Sequence, residues 1–429
     1  MREQPWVLKF YVRLTAMLAA LAPLWLRWRA LRGKEERARL TERLGWASEK
    51  RPHGPLVWLH GASVGEAKVM LVLIEALARR RPDLHFLVTS GTLTSARILG
   101  SDLPPSARHQ FAPVDTPQAA RRFIAHWQPD LGIFIESELW PNLILNARDS
   151  GVKLALVNAR MNAKSLHGWK RFDQSARTLL NAFSFIGTAD LATRDGLTAI
   201  LGTAPGFCGN LKRAAPAPFV NEARLKTLST AIGQRPVWLA ASTHEGEERI
   251  IIEAHRALRL RFENALLIIA PRHPARGKAI AALGLRHRFA LRRRAAGEEP
   301  DGTIGLYIAD TLGEMGLWMR AADVVFMGGS LLPGLHGHNP IEAAKLHAPI
   351  VCGPYHDSFS GPYNDLAVAD AFIEAGDAPA IAVAVAGLWD NPQKAQDMQE
   401  RAWTMTVKGG LTAVQKTLCG LEPLFPGAH

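Results

Sequence analysis

The sequence predicts an α/β protein made of two similar halves, each a parallel sheet covered by helices. Three observations predict it. From Leu56 onward, short apolar runs alternate with helical patterns. That is the mark of βαβ units, whose parallel strands gather sites at their C-terminal ends. The alternation stops at a proline-rich joint, Ala214-Ala-Pro-Ala-Pro-Phe219, and then restarts. The length of 429 residues accommodates two domains, at roughly 100–200 residues each.

At the N-terminus, residues 14–26 are uncharged, with Arg13 before them and Arg27, Arg29, Arg32 and Lys34 after. With Phe10-Tyr11-Val12 added and Arg13 snorkelling, the stretch reaches the ~20 residues of a membrane span. No small-x-small cleavage site follows, which argues against a signal peptide. Trp6, Trp25 and Trp28 suit a membrane interface, and the basic cluster suits an anionic lipid surface. Residues 1–34 are therefore expected to be an N-terminal membrane-anchor helix, spanning or interfacial. The body should lie on the same cytoplasmic side as the basic segment.

Residues 35–213 form the first expected α/β domain. Leu56-Val-Trp-Leu-His60 reads as a buried strand, and residues 64–80 as a helix with apolar Val69, Leu73, Ile74 and Leu77 on one face. Further strands are expected over residues 85–89, 131–135, 153–157 and 183–186. Residues 214–429 form the second domain, with strands over 237–241, 265–269, 303–308, 324–327 and 349–352. Helices are expected over 245–262 and 391–419, the last able to cross back. Residues 286–294 read as a basic loop.

Several strand-to-helix junctions carry chemistry. In His60-Gly-Ala-Ser-Val-Gly-Glu66, two glycines permit close backbone approach, and Glu66 falls in the first helical turn. It reads equally as a base or as a helix cap. The letters also match a Gly-x-Ser-x-Gly nucleophile elbow, but two parallel-sheet halves do not supply its later Asp and His in one sheet. Glu136-Ser-Glu138 follows a strand end. On an extended strand end, carboxylates at i and i+2 point the same way, so their repulsion must raise a pKa or demand a cation; the plainer reading is one buried structural glutamate and one cap. Lys212, near the joint, can meet a phosphate or a developing charge, although spacing alone favours a solvated lysine.

In the second half, Ser242-Thr-His244-Glu-Gly-Glu247 opens a helix after a strand. Pro271 and Arg272 follow another strand, and a guanidinium there can grip phosphate. Gly328-Gly329-Ser330 follows a third, and its N–H groups are expected to be free for an anion. Before the next helix, Asn339 caps, Pro340 takes the first turn, and Ile341 and Glu342 follow, the carboxylate suiting a ribose. Together these loops read as a nucleotide site.

Composition sets outer limits. The hydrophobic fraction of 48% with 21% charged residues is globular. A formal charge of +12 points to an anionic partner. No aromatic-interleaved basic stripe or nucleic-acid motif is present, so nucleic acid is not expected. His244, His273, His336 and His338 match no zinc spacing, and Cys208, Cys352 and Cys419 lie far apart. No metal site is expected, and a reducing compartment is.

The motifs together resemble the 3-deoxy-D-manno-octulosonic acid (Kdo) transferases of lipopolysaccharide synthesis. The resemblance is carried by His60–Glu66, Glu136-Ser-Glu-Leu-Trp-Pro-Asn142, Asn158-Ala-Arg160, Gly209-Asn-Leu-Lys212, Ser242-Thr-His-Glu-Gly-Glu-Glu248, Pro271-Arg-His-Pro274, Gly313-Glu-Met315, Gly328-Gly-Ser330 and His338-Asn-Pro-Ile-Glu342. It implies a GT-B fold, with two Rossmann-like domains facing across a cleft. It also implies CMP-Kdo as donor, a lipid A precursor (lipid IVA) as acceptor, and the cytoplasmic face of the inner membrane as the place of work. By the same resemblance Glu66 is the general base, and Glu136 and Lys212 support the transition state. CMP is held by Pro271 and Arg272, by Gly313, Glu314 and Met315, and by Asn339, Pro340, Ile341 and Glu342. Gly329 and Ser330 join that set through their amides. A nucleoside monophosphate leaving group needs no chelated metal, so no cofactor is expected. The chain departs from the family after Lys212, in Arg213-Ala-Ala-Pro216, and locally over residues 331–337. Another GT-B transferase using a different nucleotide sugar is the nearest rival. A non-catalytic membrane-bound nucleotide sensor is a rival from another class.

Overall fold

The computed structural model describes residues 5–425. The chain divides into two compact units. One runs to Ala215 and resumes at Gly409, and the other is Pro216–Lys408. Each holds a seven-stranded sheet whose strand pairs are all parallel.

The first sheet contains β1 (Leu56–His60), β2 (His85–Ser90), β3 (Ala107–Phe111), β4 (Leu131–Ile135), β5 (Lys153–Ala159), β6 (Phe185–Thr188) and β7 (Gly206–Phe207). Their order is β3-β2-β1-β4-β5-β6-β7. β1 is buried throughout, and its alternation serves two helix layers. Leu56 and Trp58 pack with Phe123 and Trp127 on one face, and Val57 and Leu59 with Val69 and Leu73 on the other. The expected 64–80 helix is present as Val64–Arg80.

The second sheet contains β8 (Val237–Thr243), β9 (Leu266–Pro271), β10 (Leu291–Arg293), β11 (Leu306–Ile308), β12 (Val324–Met327), β13 (Ile350–Cys352) and β14 (Ile373–Glu374), in the order β10-β11-β9-β8-β12-β13-β14. β8 divides likewise. Val237 and Leu239 join the core of Leu317 and Trp318, and Trp238 joins that of Ile251 and Ile252. In both sheets the strand order reverses beside the first strand, between β1 and β4 and between β8 and β12. Loops leaving such a pair diverge and open a crevice at the C-terminal edge.

Some expectations are corrected. β3, Ala-Arg-His-Gln-Phe, is too polar to read as a strand, and the two-residue β7 and β14 are too short. The basic segment 286–294 is not a loop, because it contains edge strand β10. The three arginines at its end are neutralised by Arg292–Asp301, Arg293–Asp310 and Arg294–Glu314 pairs, each within 2.6 Å. The last long helix, Pro392–Leu421, gives Met398 and Ala402 to the second unit's cores and Ala413 and Leu418 to the first unit's.

The N-terminal segment is not one anchor helix. It forms Trp6–Leu18 and Ala22–Leu31, bent by 67°, and no single helix among the described residues is long and apolar enough to cross a membrane. Pro23 explains the break. It lacks an N–H, and its ring excludes the carbonyl four residues back, that of Ala19. The segment is also built into the first unit, since Leu8 and Leu26 are buried. Tyr11 Oη donates to Asp115 Oδ2 at 2.9 Å. The Asp115 carboxylate also accepts the N–H groups of Asn142 and Leu143, at 3.2 and 2.9 Å. It thereby caps the helix Pro141–Asp149, whose own N-cap residue, Trp140, has no capping side chain. The opposite face leaves Trp6, Phe10, Met17, Leu21, Leu24 and Leu31 exposed.

Two buried histidines and a half-buried one make stability pH-dependent. Burial lowers His60, His109 and His255 from 6.5 to about 3, with Arg43, Arg39 and Arg259 respectively adding to the shift. Between those values the unfolded chain binds protons that the folded chain does not, so stability falls as pH drops below about 6.5. Urea midpoints are expected to decline steadily from about pH 7.5 to pH 5, and midpoints flat across that range would contradict this.

Candidate active site

In the first unit, chemistry gathers at the C-terminal edge of β1, β4 and β5. Glu66 lies in the first turn after β1 and is 7% exposed. Its Oε2 accepts the N–H groups of Ala62 (2.5 Å) and Ser63 (3.3 Å), and its Oε1 accepts the Ser63 hydroxyl at 2.7 Å. Ser63 Oγ in return accepts the Glu66 N–H, closing a capping box. The capping function is therefore real. It leaves roughly one of a carboxylate's four lone-pair sites open.

Glu136 follows β4. It is not on an extended strand end, as the sequence suggested, but turns with φ +58°. Its Oε1 meets Lys212 Nζ at 2.5 Å and accepts from Asn158 Nδ2 at 3.3 Å. Asn158, at the end of β5, uses its Oδ1 to accept the Leu211 N–H at 2.8 Å, and Asn210 Oδ1 accepts the Lys212 N–H at 3.0 Å. The backbone is thus held at the lysine's own amide and at that of the residue before it. A Cβ on Gly65 would stand 3.3 Å from Lys212 Nζ, which places the ammonium over the first turn of the Glu66 helix.

The two carboxylates after β4 divide the roles expected of the pair. Glu136 has the cation. Glu138 has the raised pKa, from burial first and then from the Glu66 charge, with a smaller push from Glu136; the Trp140 indole N–H, 2.7 Å away, pulls part of the way back. The structure therefore sets Lys212 and Glu136 together beside the first turn that carries Glu66, and adds Glu138 and Asn158. Asn158 stood in a quoted motif with no role attached. The contact that defines it, to the backbone of residue 211, is invisible in sequence.

In the second unit, loops after the adjacent strands β11, β9, β8 and β12 line one edge. Pro271 ends β9 and is buried. Arg272 is exposed, with its N–H on the Thr243 carbonyl at 3.0 Å. Gly313 turns with φ +85°, and Met315 begins the helix Met315–Ala321. Between them Glu314 is held by the Arg294 fork at 2.9 and 2.6 Å and by the Thr311 hydroxyl at 2.6 Å, and Arg294 keeps its carboxyl below the usual range. Asn339 Oδ1 accepts the Ile341 N–H at 3.2 Å, Pro340 and Ile341 are buried, and Glu342 is partly exposed. His244 Nε2 lies 2.9 Å from His338 Nε2. Burial, then His244 and Arg272, lower His338 to about 4, against a bond to the Ser242 backbone, so this imidazole is neutral near neutral pH.

One expectation fails. The amides of Gly329 and Ser330 are not free for a ligand, because the buried Glu247 carboxylate accepts both, at 2.7 and 2.9 Å. The sequence shows a glycine-rich turn but not the internal anion that fills it. Among the described residues no cluster of three or more His, Cys, Asp or Glu side chains could hold a metal ion.

Comparison with known proteins turns this arrangement into an identity. The fold is similar to a glycosyltransferase from Rickettsia africae, with a TM-score of 0.56 and 10% identity over 87% of this chain and 99% of that one. Two parallel sheets of this pattern make the chain an α/β protein of the GT-B type. A family model described as 3-Deoxy-D-manno-octulosonic-acid transferase (kdotransferase) matches residues 38–215. A 3-deoxy-D-manno-octulosonic acid transferase of Bordetella pertussis is 36% identical over 95% of this chain and 98% of its own length. A probable mitochondrial one of Arabidopsis thaliana is 36% identical over 82% and 81%. The chain belongs to the Kdo transferase family.

Lys212→Met keeps length and removes the charge beside Glu136. The Kdo transfer rate is expected to fall by ~10²–10³-fold, with partial recovery in Lys212→Arg. A steady-state kcat unchanged in Lys212→Met would remove the lysine from the reaction.

Proposed function

We propose that this enzyme transfers Kdo from CMP-Kdo to a lipid A precursor, lipid IVA, with inversion at the anomeric carbon and release of CMP. The observation that carries the reading is the Glu66–Glu136–Lys212 cluster at the reversal point of the first sheet, in a chain of the Kdo transferase family. A sugar hydroxyl is a poor nucleophile at neutral pH. Glu66, with one lone pair unspent, accepts its proton as the new C–O bond forms. The bond from the anomeric carbon to the phosphate oxygen breaks, and its electron pair leaves on CMP. Proton transfer to a placed carboxylate supplies ~10²–10⁴-fold. Lys212 and Glu136 meet charge that develops around the reacting centre.

The second unit takes the donor. Arg272 faces the phosphate, the Gly313–Glu314–Met315 turn and residues 339–342 hold the nucleoside, and Glu342 accepts ribose hydroxyls. These side chains and helix N-termini supply the countercharge, so the reading assigns no step to a metal.

The N-terminal pair binds the membrane by lying in its interface. At 1.5 Å per residue, helices of 13 and 10 residues run about 20 and 15 Å, short of a ~30 Å hydrocarbon core. The exposed apolar face enters the headgroup boundary. Arg29 and Arg32 stack on Trp25 and Trp28, at 4.9 and 3.9 Å; Arg29 is spent on Glu35 at 2.8 Å, and Arg32 meets anionic lipid. The acceptor is lipid-borne, so enzyme and acceptor share one surface, the cytoplasmic face of the inner membrane.

Incubating the protein with CMP-Kdo and lipid IVA and weighing the products tests the reaction. A mass gain in whole Kdo units is expected, and transfer from a UDP-sugar instead would contradict the donor. Glu66→Gln is expected to lower transfer by at least ~10²-fold while CMP affinity stays within a few-fold. Full activity in that variant removes the base role. The combined Trp6→Ser, Phe10→Ser and Trp25→Ser variant is expected to lose binding to anionic vesicles by more than ~100-fold. Sedimentation with vesicles equal to that of the native chain would contradict the interfacial anchor.

A further inference from the structure

Glu247 is fully buried, and its carboxylate accepts four backbone N–H groups. His244 donates to Oε2 at 2.8 Å and Gly329 to the same atom at 2.7 Å. Ser330 and Leu331 donate to Oε1 at 2.9 and 3.0 Å. Three consecutive amides form a nest of the kind that cradles anions, and here the anion is the chain's own. Glu247 opens the helix Glu247–Arg259, where a negative charge is also favoured.

The geometry ties two loops into one body. Glu247 follows β8 and the nest follows β12, the two strands that flank the reversal of the second sheet. From the nest, order passes onward. Gly329 O accepts the Gly337 N–H at 2.7 Å, and Ser330 Oγ accepts that of Gly353 at 2.7 Å. Gly329 sits at φ +69°, where a Cβ would lie 2.9 Å from His338 Cδ2. His338 pairs with His244, which Glu247 holds by its N–H, and it directly precedes Asn339.

We propose that Glu247 is a positioning residue for the nucleotide donor. It fixes residues 328–331 and, through Gly337 and His338, the Asn339–Glu342 segment before the donor arrives. The inference rests on the reading of the second unit as the donor-binding unit. Fixing a loop in advance lowers the ordering cost of binding. The filled nest also leaves the donor phosphate to side chains, with Arg272 nearest at the neighbouring strand end. The adjacent Glu248 supplies an internal control. It is 1% exposed, but its carboxylate is taken by the Arg276 fork, at 3.2 Å to each oxygen, and by Thr243 Oγ1 at 3.4 Å.

The test is calorimetric titration of the full chain with CMP. Native protein that binds no CMP overturns the donor reading itself. Given native binding, Glu247→Gln, which turns an amide N–H₂ toward a nest of donors, is expected to weaken CMP by about tenfold or more. The KM for CMP-Kdo should rise more than kcat falls. In Glu247→Ala, formate is expected to refill the nest and restore CMP affinity in a concentration-dependent way, and formamide is not. Glu248→Gln is expected to bind CMP within about twofold of native, whatever it does to unfolding. Native CMP affinity in Glu247→Gln overturns the proposal. So does an equal loss in both glutamine variants with no response to formate, the result of a purely structural role. Should Glu247→Gln fail to fold, amide exchange in the native chain decides. Saturating CMP is expected to slow exchange at Gly329, Ser330 and Leu331 together, and unchanged exchange at all three overturns the proposal.

Discussion

A parallel sheet that grows outward from its first strand in both directions must, at one place, send neighbouring loops to opposite faces. That constraint places the chemistry in each unit. β1 and β4 flank the reversal in the first sheet, and Glu66 and Glu136 follow those two strands. β8 and β12 flank it in the second, and Glu247 and the Gly329–Leu331 amides follow those. Completely buried apolar strands such as Leu56-Val-Trp-Leu-His60 make the constraint rigid. With both faces packed, the register cannot slip by one residue without exchanging two cores.

At both strand-order reversals the chain pairs its own charges. Lys212 lies beside Glu136, with its own amide and that of Leu211 held by the Asn210 and Asn158 side-chain oxygens. Glu138 is left with the unfavourable share, half-buried and within the field of two other carboxylates. In the second unit, one glutamate fills an amide nest and another holds an arginine. Buried charge of this kind is tolerable only when every donor and acceptor is met, and such networks rigidify the loops that carry them.

The sequence made the α/β halves, the joint and most central strands legible, because central parallel strands are continuous apolar runs. Edge strands escaped it. Ala107-Arg-His-Gln-Phe111 is half polar, and Leu291-Arg-Arg293 lies inside a run of arginines whose acidic partners are distant in sequence. Of the site, Glu66 stood out as a strand-to-helix glutamate behind two glycines. Lys212 by itself looked like any surface lysine and was singled out by resemblance. What could not be read were bonds made across the fold. Asp115 caps a helix 26 residues on, and Glu247 occupies a turn more than 80 residues away. Pro23 lies inside the apolar stretch, whose composition suggested one helix where there are two.

The central claim is that the activated sugar's nucleotide is held at the reversal point of the second sheet while the proton acceptor waits at that of the first. Solving the structure with CMP bound tests it most directly. The account places CMP within hydrogen-bond reach of Arg272 and Glu342, with the Gly329–Leu331 amides still on Glu247. CMP seated instead on Glu66 and Lys212, or a phosphate in the amide nest with Glu247 expelled, would contradict it.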